Sequence, residues 1–116
     1  MATLGVISTV TVFFKEVPMK FKIEAIIADE LSKERQLVGG IDAIEFRKAL
    51  DKLTRNMEYQ GIGKSLKEEN INFYGMESIA RYILKKMKKD FPIKQVKVWE
   101  GQDEYVTVSL TDIENS

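Results

Sequence analysis

Histidine and cysteine are both missing from this chain of 116 residues. Without cysteine there is no disulfide framework and no thiolate to act as nucleophile or metal ligand. Without histidine, the side chain that most often serves as general base near neutral pH and as a neutral metal ligand is gone as well. Proline is scarce, with Pro18 and Pro92 the two present. Neither charge is in surplus, because 18 Lys and Arg balance 18 Asp and Glu, so no overall field draws the chain to nucleic acid or to anionic membranes. No apolar run approaches the roughly 20 residues that span a bilayer. Met1 to Phe14 is apolar, but it alternates like a strand and carries no basic leader. These absences predict a cytoplasmic protein with its native start, holding no metal and no cofactor, with no nucleic-acid partner and no membrane contact.

What is present is ordinary globular composition, 44% hydrophobic and 31% charged, over a length that suits a single domain, residues 1–116. From Leu4 to Phe14 the chain is rich in Val, Ile, Thr and Phe with apolar residues on both parities, which predicts a first strand covered on both faces. After Pro18, the residues Met19, Phe21, Ile23, Ala25 and Ile27 alternate with Lys20, Lys22 and Glu24, the clearest period-two pattern in the sequence and a second strand. Asp29 to Gln36 and Gly39-Gly40 read as a connection, and Asp42 stands where a carboxylate caps a helix that begins near Ala43 with the stripe Phe46, Ala49, Leu50, Leu53 and Met57. Between about Arg55 and Phe73 the periodicity fails around Gly61 and Gly63, which predicts a long loop with a functional or subunit-contact role. Met76, Ile79, Ala80, Ile83, Leu84 and Met87 then mark a second helix that ends before Pro92. Ile93 to Glu100 and Glu104 to Leu110, joined by Gly101-Gln102-Asp103, read as the third and fourth strands.

The order ββααββ gives an α+β fold, a four-stranded antiparallel sheet with two helices on one face. Such an open sheet has edges and an apolar second face to hide, so a homo-oligomer is expected on physical grounds.

The segments Met19 to Ile27, Ile41-Asp42 with Glu45 to Leu50, Glu77 to Ile83, and Val96-Lys97-Val98-Trp99-Glu100 carry a resemblance that covers most of the chain. Together they resemble the family of 6-pyruvoyltetrahydropterin synthase and 6-carboxytetrahydropterin synthase. The resemblance implies a tunnelling fold (T-fold), a hexamer, and a pterin site at a subunit interface whose anchoring glutamate corresponds to Glu100. It also implies a zinc ion held by three histidines and a catalytic cysteine, and here this sequence departs from the pattern. The positions matching two of the histidines are Val17 and Met19, the loop for the first is largely missing after Phe14, and the Asp-His pair falls on Glu58-Tyr59. The chain therefore reads as a divergent member without zinc-dependent lyase activity that binds a pterin- or purine-like ring. Two alternatives stand beside this reading: a metal-free pterin enzyme resembling dihydroneopterin aldolase, which would anchor its ligand by Glu77, and a structural or regulatory paralogue of an active synthase. The residues leave open whether any reaction is catalysed.

Each candidate residue also has an ordinary explanation. Glu100 shares parity with Val96 and Val98 and can accept two parallel N–H bonds from a guanidine-like edge, but a glutamate beside a turn can equally be a solvated surface group. Glu77 can anchor a ligand or only favour the helix dipole. Glu58 and Tyr59 are the candidates for acid/base work, against the common occurrence of such pairs at helix ends. Gly61-Ile62-Gly63-Lys64-Ser65 lacks the first glycine and the preceding strand of a phosphate-binding loop. The lysines from Lys85 to Lys89 suit a helix C-terminus better than a nucleic-acid groove.

Overall fold

The alternation of apolar residues along the strands decides which way the sheet faces. A computed structural model of the chain, describing residues 2–29 and 42–114, forms a four-stranded antiparallel sheet in the order β1-β2-β3-β4. The strands are β1 (Ala2–Phe14), β2 (Val17–Asp29), β3 (Gln95–Glu100) and β4 (Glu104–Ser109). Register aligns Val6 with Ala25 and Val96, Ser8 with Ile23 and Val98, and Val10 with Phe21 and Glu100. One face thus collects Val6, Val10, Phe21, Ile23, Ala25, Ile27, Val96, Val98 and Val108, all buried. The helices cover that face, an α+β arrangement consistent with the T-fold.

α1 (Ala43–Gln60) starts where Asp42 accepts a 2.7 Å bond from the Ile44 amide, filling one of the donors that a helix start leaves open. It buries Phe46, Leu50, Thr54 and Met57. Thr54 is the polar member of that stripe. Its hydroxyl donates to the Asp51 carbonyl at 2.9 Å and lies 3.0 Å from the Ser8 hydroxyl of β1, so the burial leaves no donor orphaned. α3 (Met76–Met87) packs on β3 and β4 and buries Ile79, Ala80, Tyr82, Ile83, Leu84 and Met87. Phe46 meets Phe91 with ring centroids 5.3 Å apart, tying the start of α1 to the chain that enters β3.

The structure departs from the sequence expectation in four places. The long loop expected from Arg55 to Phe73 is mostly helical: α1 continues to Gln60, and α2 (Ile62–Glu68) follows it. Gly61, at φ +90°, separates the two helices in a conformation that a side chain would strain, while Ile62, Ser65 and Leu66 still keep helical spacing on the buried side. β1 is not covered on both faces within the chain, because Thr3, Gly5, Ile7, Thr9 and Phe13 are exposed. Its even-numbered parity carries the core. β3 begins at Gln95, with buried Ile93 just ahead of it, and β4 stops at Ser109, where Leu110 opens a short α4 (Leu110–Glu114) capped by Asp112. The connection expected through Gln36 and Gly39-Gly40 lies outside the described residues.

β1 and β2 have 13 residues each, whereas β3 and β4 have six, so the first hairpin runs on past Glu100 and lengthens the molecule to 48 Å against 28 and 27 Å across. Phe13 and Val17 are exposed on this projection, at 66% and 58%. Among the described residues no helix is long and apolar enough to cross a membrane.

Phe46→Ala should lower unfolding stability by about 3–5 kcal/mol through lost burial and an unfilled cavity against Phe91. Urea denaturation measures this, and a loss within about 0.5 kcal/mol, as at an open surface position, would contradict the packing described.

Candidate functional site

Glu100 closes β3 opposite Phe21 on one side and Glu104 on the other. Its even-numbered parity sends it to the helix side of the sheet, but it stands one step beyond the buried pair Val96 and Val98 and is exposed. Its carboxylate makes no hydrogen bond or ion pair among the described residues, so both oxygens are available. The turn after it passes through Gly101 at φ +70° into β4.

Glu77 lies in the first turn of α3, exposed, with its Oε1 accepting a 3.1 Å bond from Arg81 Nε one turn on. A shallow cavity of ≈ 300 Å³ separates this pair from the segment before the helix and is lined by Asn70, Asn72, Tyr74 and Ser78. The helix enters through Gly75, whose φ of +88° and ψ of −145° fall in a region essentially reserved for glycine. Ser78 fixes that entry, donating to the Gly75 carbonyl at 2.7 Å and accepting from the Tyr74 amide at 3.0 Å.

Glu58 is turned toward the sheet, where its Oε1 accepts from the Thr11 amide at 3.3 Å. β1 is an edge strand, and this carboxylate satisfies a backbone donor that no neighbouring strand takes. Tyr59, next to it on α1, is 94% exposed. Among the described residues no hydrogen bond or ion pair joins any two of Glu58, Tyr59, Glu77 and Glu100. Thr11 is one ladder row beyond Val10, Phe21 and Glu100, so Glu58 and Glu100 belong to the same end of the sheet, but two strand spacings of about 4.8 Å separate β1, where Glu58 docks, from β3, which carries Glu100.

Sequence reasoning missed the polar network that holds α2 in place. Gln60 Nε2 donates to Ser65 Oγ at 2.8 Å and to Glu68 Oε1 at 2.9 Å, and Lys86 of α3 reaches Glu68 at 3.3 Å and Glu69 at 3.9 Å. Lys89 adds a 3.7 Å contact to Glu69. Tyr82 is buried beneath the network, and burial is the main cause raising its phenol pKa. The signal was the spacing of Ser65, Glu68 and Glu69 after Gln60, hidden by the two glycines that read as loop.

The 6-pyruvoyl tetrahydropterin synthase family model matches residues 19–110. No curated protein matches the chain. The residues present do not fit the zinc of the resembling family. Val17 and Met19, which the sequence resemblance sets against two of the ligand positions, offer an aliphatic side chain and a thioether, Val17 is largely exposed, and Met19 packs against the core. Among the described residues no three of His, Cys, Asp and Glu come together as a metal site.

The network gives stability a pH signature. The Gln60 hydrogen bond first, then Lys86, lowers the Glu68 pKa, so this contribution is present above the ordinary carboxylate range and is lost as pH falls through the lowered value. For Lys86, burial pulls the pKa down, but the bond to Glu68 with Tyr82 and Glu69 outweighs it and the net shift is upward. That contribution holds below the ordinary lysine range and is lost as pH rises through the raised value. Lys86→Met should therefore be less stable than the natural chain near neutrality, with the gap closing in acid as Glu68 protonates. Urea midpoints across pH measure it; a gap independent of pH would contradict the linkage.

Proposed function

From a chain that belongs to the 6-pyruvoyl tetrahydropterin synthase family, matched over residues 19–110, we propose a protein that binds a pterin- or purine-like ring through Glu100 at a subunit interface and does not run zinc-dependent lyase chemistry. The observation that carries the reading is the state of Glu100, an exposed carboxylate at a strand end with no partner among the described residues. A carboxylate accepts two parallel N–H bonds from an amino-pyrimidine edge, and charge-assisted bonds of this kind are stronger than neutral ones. Glu77 suits the task less well because Arg81 already engages its carboxylate. Glu58 serves the β1 edge, and with Tyr59 standing in solvent the two supply no coupled acid and base.

The departure from zinc chemistry follows from the donor set. The whole sequence has no imidazole and no thiol, and the described carboxylates do not converge in threes. Zinc sites take their ligands from those groups at about 2.0–2.3 Å. In this reading the protein binds and orients a ring and activates nothing through a metal.

Assembly as a homo-oligomer, a hexamer by family analogy, belongs to the same proposal. β1 and β4 are sheet edges, and the projecting hairpin exposes Phe13 and Val17. Unpaired edges and exposed apolar side chains are what a second subunit would cover.

Isothermal titration with neopterin, biopterin and guanine tests the site. At least one should bind saturably, and Glu100→Ala should weaken that binding by about tenfold or more, the effect of losing a charge-assisted pair. Absence of binding by all three, or affinity unchanged by Glu100→Ala, would overturn the proposal.

A further inference from the structure

The face of the sheet turned away from the helices carries its own chemistry. Register sets Thr9, Lys22, Trp99 and Tyr105 side by side across all four strands. The Trp99 and Tyr105 rings pair with centroids 4.5 Å apart and planes inclined by 36°. Lys22 Nζ stands 4.4 Å from the Trp99 ring centroid, and Lys97 Nζ stands 5.4 Å from that of Tyr105. Lys20 projects from the next row of the same face, beside Thr11.

On the paired strands this face holds three lysines, Lys20, Lys22 and Lys97, against one carboxylate, Glu24. Glu24 is directly across from Lys97, yet its carboxylate leans the other way, over β1. Its Oε2 lies 3.2 Å from the place a Cβ would take on Gly5, so the missing side chain of Gly5 leaves room for that lean. None of the three lysines forms an ion pair among the described residues. A cavity of ≈ 400 Å³ opens between Thr9, Lys20, Lys22, Trp99 and the turn residues Gly101 and Gln102. Small-molecule sites fall in the range of about 300–1,000 Å³.

We propose that this face is a second binding site, for a planar aromatic anion of nucleotide size. The ring stacks on Trp99 beside Tyr105, and the phosphate or carboxylate lies between Lys20 and Lys22. Lys22 caps Trp99 through a weak, solvent-exposed cation–π contact, so it can swing aside and place its ammonium on the arriving anion. The two sites are separate because Trp99 and Glu100 are neighbours on one strand and point to opposite faces.

Trp99 is the single tryptophan of the chain, so its fluorescence reports on this face directly. The probes are adenosine monophosphate, adenosine and inorganic phosphate, with excitation at the red edge of tryptophan absorption where adenine is transparent. Adenine lacks the adjacent N–H pair that Glu100 would accept, so the outcome is independent of the reading given above for Glu100. Adenosine monophosphate should quench Trp99 saturably, adenosine should bind about tenfold or more weakly, and phosphate alone should not quench. The double variant Lys20→Ala with Lys22→Ala should weaken adenosine monophosphate by about tenfold or more and leave adenosine little changed, while Lys67→Ala, an exposed lysine of α2, should alter neither. Absence of saturation, equal affinity for nucleotide and nucleoside, or indifference to the lysine pair would each overturn the site. An adenine oligonucleotide binding orders of magnitude more tightly than the mononucleotide would overturn it in favour of a nucleic-acid surface.

Discussion

The fold depends on burying one parity of β2. Phe21, Ile23, Ala25 and Ile27 are at most 1% exposed, and each aligns with a neighbour from β1, β3 or both. Full burial of a large apolar side chain stabilises by about 1.5–3 kcal/mol, and a slip of one residue would turn all of them out together. The register is therefore strongly fixed. It also settles the faces of β3, sending Val96, Val98 and Glu100 toward the helices and Lys97 and Trp99 away from them.

The helical layer rests on this sheet in two different ways. α1 and α3 bury continuous apolar stripes, with Thr54–Ser8 and Glu58–Thr11 as polar contacts between α1 and β1. α2 is short, and apart from Ile62 and Leu66 it is held by Gln60, Glu68, Glu69 and Lys86 through hydrogen bonds and ion pairs at partly exposed positions. Contacts of that kind are individually weak and pH-sensitive. The segment linking α1 to α3, on the same side of the sheet as Glu100, thus combines the apolar anchors Ile62 and Leu66 with pH-sensitive polar contacts.

Much of this was legible in the sequence. The alternation from Met19 to Ile27, the Asp42 cap and the stripe from Met76 to Met87 all declare themselves, because each is a local pattern matched to one backbone period. α2 was not legible, since Gly61 and Gly63 mask a two-turn helix whose stability comes from tertiary contacts. β1 was half legible: its Val and Ile content marks a strand, but which parity is buried depends on the side the helices take. At the candidate site, the sequence places Glu100 at a strand end, and the family resemblance supplies its significance. The row of Lys22, Trp99 and Tyr105 was out of reach, because its members come from three strands and meet only once the register is known.

Function turns on which donors the chain can offer. The chain belongs to the 6-pyruvoyl tetrahydropterin synthase family and has neither imidazole nor thiol, while the Glu100 carboxylate has no partner among the described residues. The most direct test is the zinc content of protein produced in zinc-supplemented medium and then desalted, measured by elemental mass spectrometry. Zinc should be far below stoichiometry. One zinc retained per chain would contradict this.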